Sequence, residues 1–268
     1  MVAGHARLFA IIGDPIHHVR TPAVFNAYFA EHSIGAVCVP IHIRPEALEA
    51  GFAGLKAMAN LDGFIVTAPH KERVAGLVDR LEGDGALVGA VNTVRREPDG
   101  SFTGTMLDGH GFVAGLAQAG HGAAGRSVYI AGAGGAARAL AFALAGAGIA
   151  RLTIHNRTRA RAEALLAAVE TAYPRIELAL GTRDPRDHHM AVNATPLGLE
   201  PGDGFSFDVD LVEPPTLVAE VLMKPETTAL LHAASARGCP IHQGRHMLDG
   251  QRDLMMAYFG LARPAAAA

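Results

Sequence analysis

The stretch Arg126-Ser-Val-Tyr-Ile-Ala-Gly-Ala-Gly-Gly-Ala-Ala-Arg138 decides how this chain folds. Val128-Tyr129-Ile130 is a β-branched and aromatic run of the kind that forms a buried strand. It leads into Gly132-Ala133-Gly134-Gly135-Ala136, and then into an Ala/Leu-rich helical stretch, Ala137 to Ala147. Strand, glycine turn and helix in that order form the setting of a dinucleotide-binding fingerprint. The glycines let the chain turn tightly and bring backbone N–H groups, at the positive end of a helix, up to a pyrophosphate. The expectation is a Rossmann-type domain in which Gly132, Gly134, Gly135 and Ala136 line the cofactor.

The next strand, Arg151 to His155, bears on which dinucleotide is bound. In NAD-binding domains this strand usually ends in a carboxylate that holds the ribose 2′-hydroxyl. Here it runs out into Asn156-Arg157-Thr158, with Arg161 one turn on. Guanidinium groups suit a 2′-phosphate, which they grip as a fork. NADP is therefore favoured over NAD. The competing reading is a solvated helix start, since Arg157, Arg159 and Arg161 lie close together. Beyond this point come a helix from Arg159 to Thr171, strands at Met190–Val192 and Leu217–Val221, and a last helix, Met247 to Phe259.

The first hundred residues also alternate strand and helix signals, which points to a second α/β domain with a mainly parallel sheet. Strands are expected at Leu8–Ile12, Ala36–Ile43 and Gly63–Thr67. Thr21-Pro22 opens a helix, with Thr21 as N-cap and proline at the first helical position. A second helix starts at Arg44-Pro45-Glu46 and puts Leu48, Phe52, Leu55 and Met58 on one face. A short helix follows Pro69-His70-Lys71. Gly89–Val94 and Ser101–Thr105 read as a hairpin around the turn Glu97-Pro-Asp-Gly100. The division expected is a substrate domain over 1–107 and a dinucleotide-binding domain over 108–244. A helix at Gly109–Gly120 links them, and a C-terminal helix over 245–262 returns to the first domain. Two such domains flanking a cleft is the usual way to join a cofactor to a small substrate.

Composition narrows the class. The chain has 268 residues, half of them hydrophobic, with 23 basic against 26 acidic side chains and a net charge of −3. No basic stripe interleaved with aromatics marks a nucleic-acid surface. Cys38 and Cys239 have no metal or redox spacing and read as small core residues in a reducing compartment. Met1–Arg7 has no signal-peptide layout, and the apolar run Ala139–Ala150 is too short and glycine-rich to span a bilayer. The expectation is a cytoplasmic monomer or homodimer that binds a small molecule. His17-His18 and His188-His189 are adjacent, whereas ligands on a helix face sit three or four apart, so no metal site is expected.

Two residues stand out chemically. Lys71 follows a strand end in Thr67-Ala-Pro-His-Lys71, and Asp108 lies at the domain boundary. Hydride transfer to a ketone needs a proton source at the developing alkoxide, and a lysine oriented by a carboxylate can hold and pass that proton. Spacing alone equally fits two solvated charges.

The motifs together carry a resemblance to a known family. Gly13-Asp-Pro-Ile-His-His18 is followed by Pro22 and Asn26, then Val66-Thr67-Ala-Pro69-His-Lys71, Gly89-Ala-Val-Asn92-Thr93 and Asp108-Gly-His-Gly111. The glycine turn, Asn156-Arg-Thr158, Asn193-Ala-Thr195-Pro-Leu-Gly198 and Gly244-Arg-His-Met-Leu248 with Gln251 complete the set. Over essentially its whole length the chain resembles the shikimate dehydrogenase family. The resemblance implies reversible hydride transfer between NADP(H) and shikimate or a close analogue, with Lys71 and Asp108 as the catalytic pair. It also implies that Thr21, Thr67, Asn92 and Gln251 bind substrate. Asn156, Arg157, Thr158 and Arg161 would hold the adenosine ribose, and Asn193, Thr195 and Gly244 would sit near the nicotinamide half.

Several positions depart from the family pattern. Two serines that grip the substrate carboxylate are replaced by Val19 and Thr21, an asparagine by Ile65, and an Asn-Thr pair by Met106-Leu107. A tyrosine is replaced by Met223, with Glu220 the acidic residue ahead of it. Each hydrogen bond lost to a charged carboxylate is worth roughly 1.5–3 kcal/mol. Quinate or an amino-substituted analogue, with NAD, is therefore the enzyme alternative. A catalytically idle cofactor-binding protein is the alternative of another class.

Overall fold

The computed structural model describes residues 3–17 and 19–261. His18 of the first motif and the end of the expected 245–262 helix lie outside the described residues. Chain contacts divide the molecule into two compact units, Met1–Leu107 with Arg252–Ala268, and Asp108–Gln251.

The first unit is built from β1 (Arg7–Gly13), α1 (Thr21–Glu31), β2 (Ala36–His42), α2 (Leu48–Ala57), β3 (Leu61–Val66), α3 (Lys71–Ala75), β4 (Arg80–Leu81), α4 (Asp84–Val88), β5 (Thr93–Arg96) and β6 (Phe102–Thr105). Its sheet runs β2-β1-β3-β5-β6-β4. The β1, β2 and β3 strands are mutually parallel, β4 is parallel to β6, and β5 is antiparallel to both β3 and β6, so the sheet is mainly parallel with one reversed strand, the first strand of the expected hairpin. Side chains alternate between faces along β1 and β3. Ala10, Ile12, Phe64 and Val66 pack with Leu48, Phe52 and Leu55 of α2. Phe9, Ile11 and Ile65 pack with Phe25 and Phe29 of α1 and with Met255, Met256 and Phe259. Both faces are covered, which is why these strands read as unbroken apolar runs. On the edge strand β2, the Asn26 amide donates to Cys38 O (2.9 Å) and accepts from Cys38 N (2.8 Å), taking the place of a missing neighbour strand.

Two local expectations are corrected. Thr21 is not the N-cap: α1 begins at Thr21 with Arg20 before it, and no side chain caps the helix. Thr21 is buried as a residue, and its side chain makes no hydrogen bond to the helix end. Met58 ends α2 as its C-cap and is exposed, while Leu48, Phe52 and Leu55 form the buried face.

The second unit contains α5 (Asp108–Gln118), β7 (Ser127–Ala131), α6 (Gly135–Gly146), β8 (Arg151–His155), α7 (Arg159–Ala172), β9 (Glu177–Leu180), β10 (Met190–Asn193), β11 (Leu217–Glu220), α8 (Ala229–Ala236) and β12 (Ile241–His242). Helix α9 (Arg245–Tyr258) follows, and the division between the units falls inside it, after Gln251. The sheet order is β12-β11-β10-β7-β8-β9 and every pairing is parallel. The chain winds outward from β7 to β9, then crosses to β10 and winds out the other way. This is the doubly wound order in which a dinucleotide lies across the strand ends where the winding reverses. Among the described residues no helix is long and apolar enough to cross a membrane.

Candidate active site

In the second unit the reversal point lies between β7 and β10. Gly132 N donates to His155 O (2.7 Å) and Ala194 N to Ala131 O (2.8 Å), so the turn after β7 and the loop after β10 lie side by side. Gly132 has φ +120°, and a Cβ there would come within 2.8 Å of Ala194 O. Gly134 and Gly135 have open space where a Cβ would stand. They begin α6, whose first N–H groups have no partner within the helix. A closed back wall and an open front at a helix N-terminus fit a pyrophosphate. Ala136 follows in the first turn.

The loop after β10 is held from within. Asn193 donates to Leu197 O (2.9 Å) and to Glu220 Oε1 (3.0 Å), and its Oδ1 accepts from Thr195 N and Oγ1 (3.1 and 2.7 Å). Glu220 is fully buried, and burial pushes its carboxyl above the usual range although Asn193 and Thr228 hydrogen-bond to it. The amide of Asn193 is thus committed to shaping this loop. Gly244, at the start of α9, packs against the Leu222 carbonyl so closely that a Cβ would not fit.

At the β8 exit, Asn156 donates to Thr158 O (2.9 Å) and turns the chain into α7. The side chains of Arg157 and Arg161 are exposed and make no hydrogen bond or ion pair among the described residues. Arg159 pairs with Glu163 (2.7 Å). Arg183 and Asp208, which border the same region from the β9 side, carry no signal in the sequence. Strand β9 opens with Glu177 and has no β-branched residue, so nothing in it marks the loop that carries Arg183.

Asp108 opens α5, where a carboxylate suits the helix dipole, and is buried. Gln251 Nε2 donates to its Oδ1 (2.9 Å). Glycines bring the helices close enough for this contact. Gly109 lies against the Ala139 carbonyl of α6, Gly111 against Gln251 of α9, and Gly115 within 2.5 Å of His246 O for a notional Cβ. A methyl at Gly109 or Gly111 would overlap its neighbour.

In the first unit Lys71 opens α3 directly after buried His70, whose Nε2 bonds Ile43 O (2.7 Å). Val91 N donates to Lys71 O (3.0 Å) and Val66 N to Asn92 O (2.8 Å), which ties the lysine to the sheet. Asn92 is buried, and its Oδ1 accepts from Leu107 N (2.8 Å) and Thr93 Oγ1 (3.0 Å). The Thr67 methyl fills the space beside Gly13. Thr21 and Thr67 make no side-chain hydrogen bond among the described residues. Of the positions that depart from the family pattern, Val19, Ile65 and Leu107 belong to one apolar cluster with Ile16 and Phe25, and Met106 is buried. They fill the core, so their apolar character has a packing role.

Cys38 and Cys239 are buried free thiols, and burial pushes Cys38 up to about 12. Among the described residues no group of His, Cys, Asp or Glu is placed to hold a metal ion.

Known proteins supply the remaining comparison. Residues 11–94 match a family described as the shikimate dehydrogenase substrate binding domain, and residues 115–180 match shikimate / quinate 5-dehydrogenase. The NADP(+) shikimate dehydrogenase of Rubrobacter xylanophilus is 41% identical over 256 residues, covering 92% of this chain and 88% of the relative. The structure of Listeria monocytogenes shikimate 5-dehydrogenase in complex with shikimate and NAD has a TM-score of 0.89 at 30% identity, covering 98% and 95% of the two chains. Ligand-free 5-ketofructose reductase of Gluconobacter sp. strain CHM43 has a TM-score of 0.87 at 30% identity, covering 96% and 94%.

Proposed function

Because the chain belongs to the shikimate dehydrogenase family, we propose that it is an NADP-dependent oxidoreductase of the cytoplasm that interconverts shikimate and 3-dehydroshikimate. The observation that carries the cofactor is the open Gly134-Gly135 turn at the reversal of a doubly wound sheet. Gly132 to Ala136 would hold the pyrophosphate, and Arg157 and Arg161 the 2′-phosphate. The bound nicotinamide supplies the hydride acceptor for oxidation and the hydride donor for reduction.

Lys71 takes the proton. In oxidation its neutral amine accepts the hydroxyl proton as the C–H hydride departs, leaving a ketone. In reduction the ammonium returns that proton to the developing alkoxide. Asp108 is the acidic partner that the family pattern assigns to this lysine, and Gln251 fixes the orientation of Asp108. Thr21 and Thr67 offer hydroxyls to the substrate, and Asn92 holds the 105–107 segment beside them. Asn193, Thr195 and Gly244 shape the surroundings of the nicotinamide half.

The 5-ketofructose reductase neighbour supports a second reading, in which the substrate is a neutral polyhydroxy ketone. Product analysis separates the two. Shikimate with NADP+ should give one ketone and one NADPH per turnover. Turnover of 5-ketofructose with NADPH, and none of shikimate, would establish the second reading.

A further inference from the structure

Strand register pairs Asn193, the last residue of β10, with Glu220, the last residue of β11. Both are fully buried. Asn193 Nδ2 donates to Glu220 Oε1 (3.0 Å), and the hydroxyl of Thr228, also fully buried, donates to Oε2 (2.6 Å). Among the described residues Glu220 has no ion pair, so no cation offsets the burial of its carboxyl. An apolar side chain would fill the same space with less desolvation. What the acid adds is a pair of acceptor atoms aimed at two neutral donors.

Those acceptors decide which way round the Asn193 amide stands. Facing Glu220 Oε1, the amide presents its NH2 group to the acid and its Oδ1 to the loop after β10. There Oδ1 accepts from Thr195 N and Oγ1 (3.1 and 2.7 Å), and Thr195 Oγ1 accepts from Leu197 N (3.1 Å). Turned over, the amide would set its NH2 against the Thr195 N–H and its oxygen against the carboxyl. The 194–198 loop therefore takes its shape from a side chain on the neighbouring strand. This loop lies beside the glycine turn, joined to it by Ala194 N donating to Ala131 O (2.8 Å). With the adenosine half of a dinucleotide toward β8, its other half crosses toward β10 and β11.

We propose that Glu220 is a positioning residue for the nicotinamide half of the cofactor, acting through the Asn193 amide and Thr195 as a hydrogen-bond acceptor and not as a charge. The proposal rests on the NADP reading above. It makes the grip on the nicotinamide half, and not on the adenosine half, depend on a fully buried side chain.

Calorimetric titration of the full chain with NADP+ and with adenosine 2′,5′-bisphosphate tests it, using wild type, Glu220→Leu, Glu220→Gln and Thr195→Val. Glu220→Leu should weaken NADP+ about ten-fold, the scale of one lost internal hydrogen bond, and leave the bisphosphate unchanged. Glu220→Gln should bind NADP+ as wild type does, because its amide oxygen accepts from Asn193 and its NH2 donates to Thr228 Oγ1. Equal weakening of both ligands, unchanged NADP+ affinity in folded Glu220→Leu, or a glutamine variant as weak as the leucine variant would each overturn the assignment. Thr195→Val, at a half-buried position, removes the hydroxyl that Asn193 orients and should show the same loss confined to NADP+. Unchanged NADP+ affinity there would also overturn the proposal, so it stays testable if Glu220→Leu does not fold. If folded wild type binds neither ligand, the NADP reading itself fails, and the proposal with it.

Discussion

Arg157 lies just before α7, exposed and with no side-chain partner among the described residues, beyond a strand that ends without a carboxylate. A guanidinium that meets a phosphate only in NADP should matter for that cofactor alone. Arg157→Ala is expected to raise KM for NADP by about ten-fold or more, in line with the roughly 1.5–3 kcal/mol of a hydrogen bond to a charged group, and to leave KM for NAD nearly unchanged. Steady-state kinetics with each cofactor checks this, and equal effects on both would remove the 2′-phosphate assignment. Residues of this kind are readable from sequence because their meaning is local: a strand end, a missing acid, an arginine. Arg183 is not, because its partners Asp208 and Phe205 lie more than twenty positions away and are joined to it only by folding. Thr21 shows the opposite failure: the local rule for capping puts it just outside the helix, whereas the helix begins at Thr21 itself.

At the scale of elements, α5 depends on glycine where it meets its neighbours. Gly109→Ala would drive a methyl into the Ala139 carbonyl of α6, a backbone atom that cannot turn aside. Overpacking of this kind costs about 1–3 kcal/mol. Gly54→Ala, in α2 with open space around its Cβ, should instead stabilise by about 0.4–1 kcal/mol through helix propensity and a stiffer unfolded chain. Thermal melting of the two variants should move in opposite directions. A second element-level expectation concerns the start of α9. His242 is buried against Phe112, His121 and His246, its Nε2 has no partner, and burial with the neighbouring imidazoles pushes it down to about 4 from 6.5. The unfolded chain takes up this proton below pH about 6.5, and the folded protein only near pH 4. Stability is thus intact above about 6.5 and falls with acidification toward 4, on the order of 3 kcal/mol from this group. Burial lowers His188 too, and in the same sense. His242→Leu should flatten the fall in melting temperature between pH 6.5 and 4, and an unchanged slope would rule out His242 as its source. Long, strongly patterned elements are plain in the sequence. The short β4, α4 and β12 are not, since two to five residues carry no period, and α8 is signalled only by its cap, Thr228.

For the whole molecule, the order of motifs along the chain identified the family, while the placement of Lys71 and Asp108 in different compact units is a product of the fold. The first unit supplies the lysine on a mixed sheet, and the second supplies the carboxylate and the cofactor turn on a parallel one. The most direct test is the initial rate of nicotinamide reduction with shikimate, for wild type and Lys71→Ala, with NADP and NAD supplied separately. The prediction is a brisk wild-type rate with NADP, a much slower one with NAD, and a loss of at least about a hundred-fold in Lys71→Ala, the scale of general acid–base catalysis. A Lys71→Ala rate equal to wild type, or no shikimate turnover by a wild-type protein that binds NADP, would contradict it.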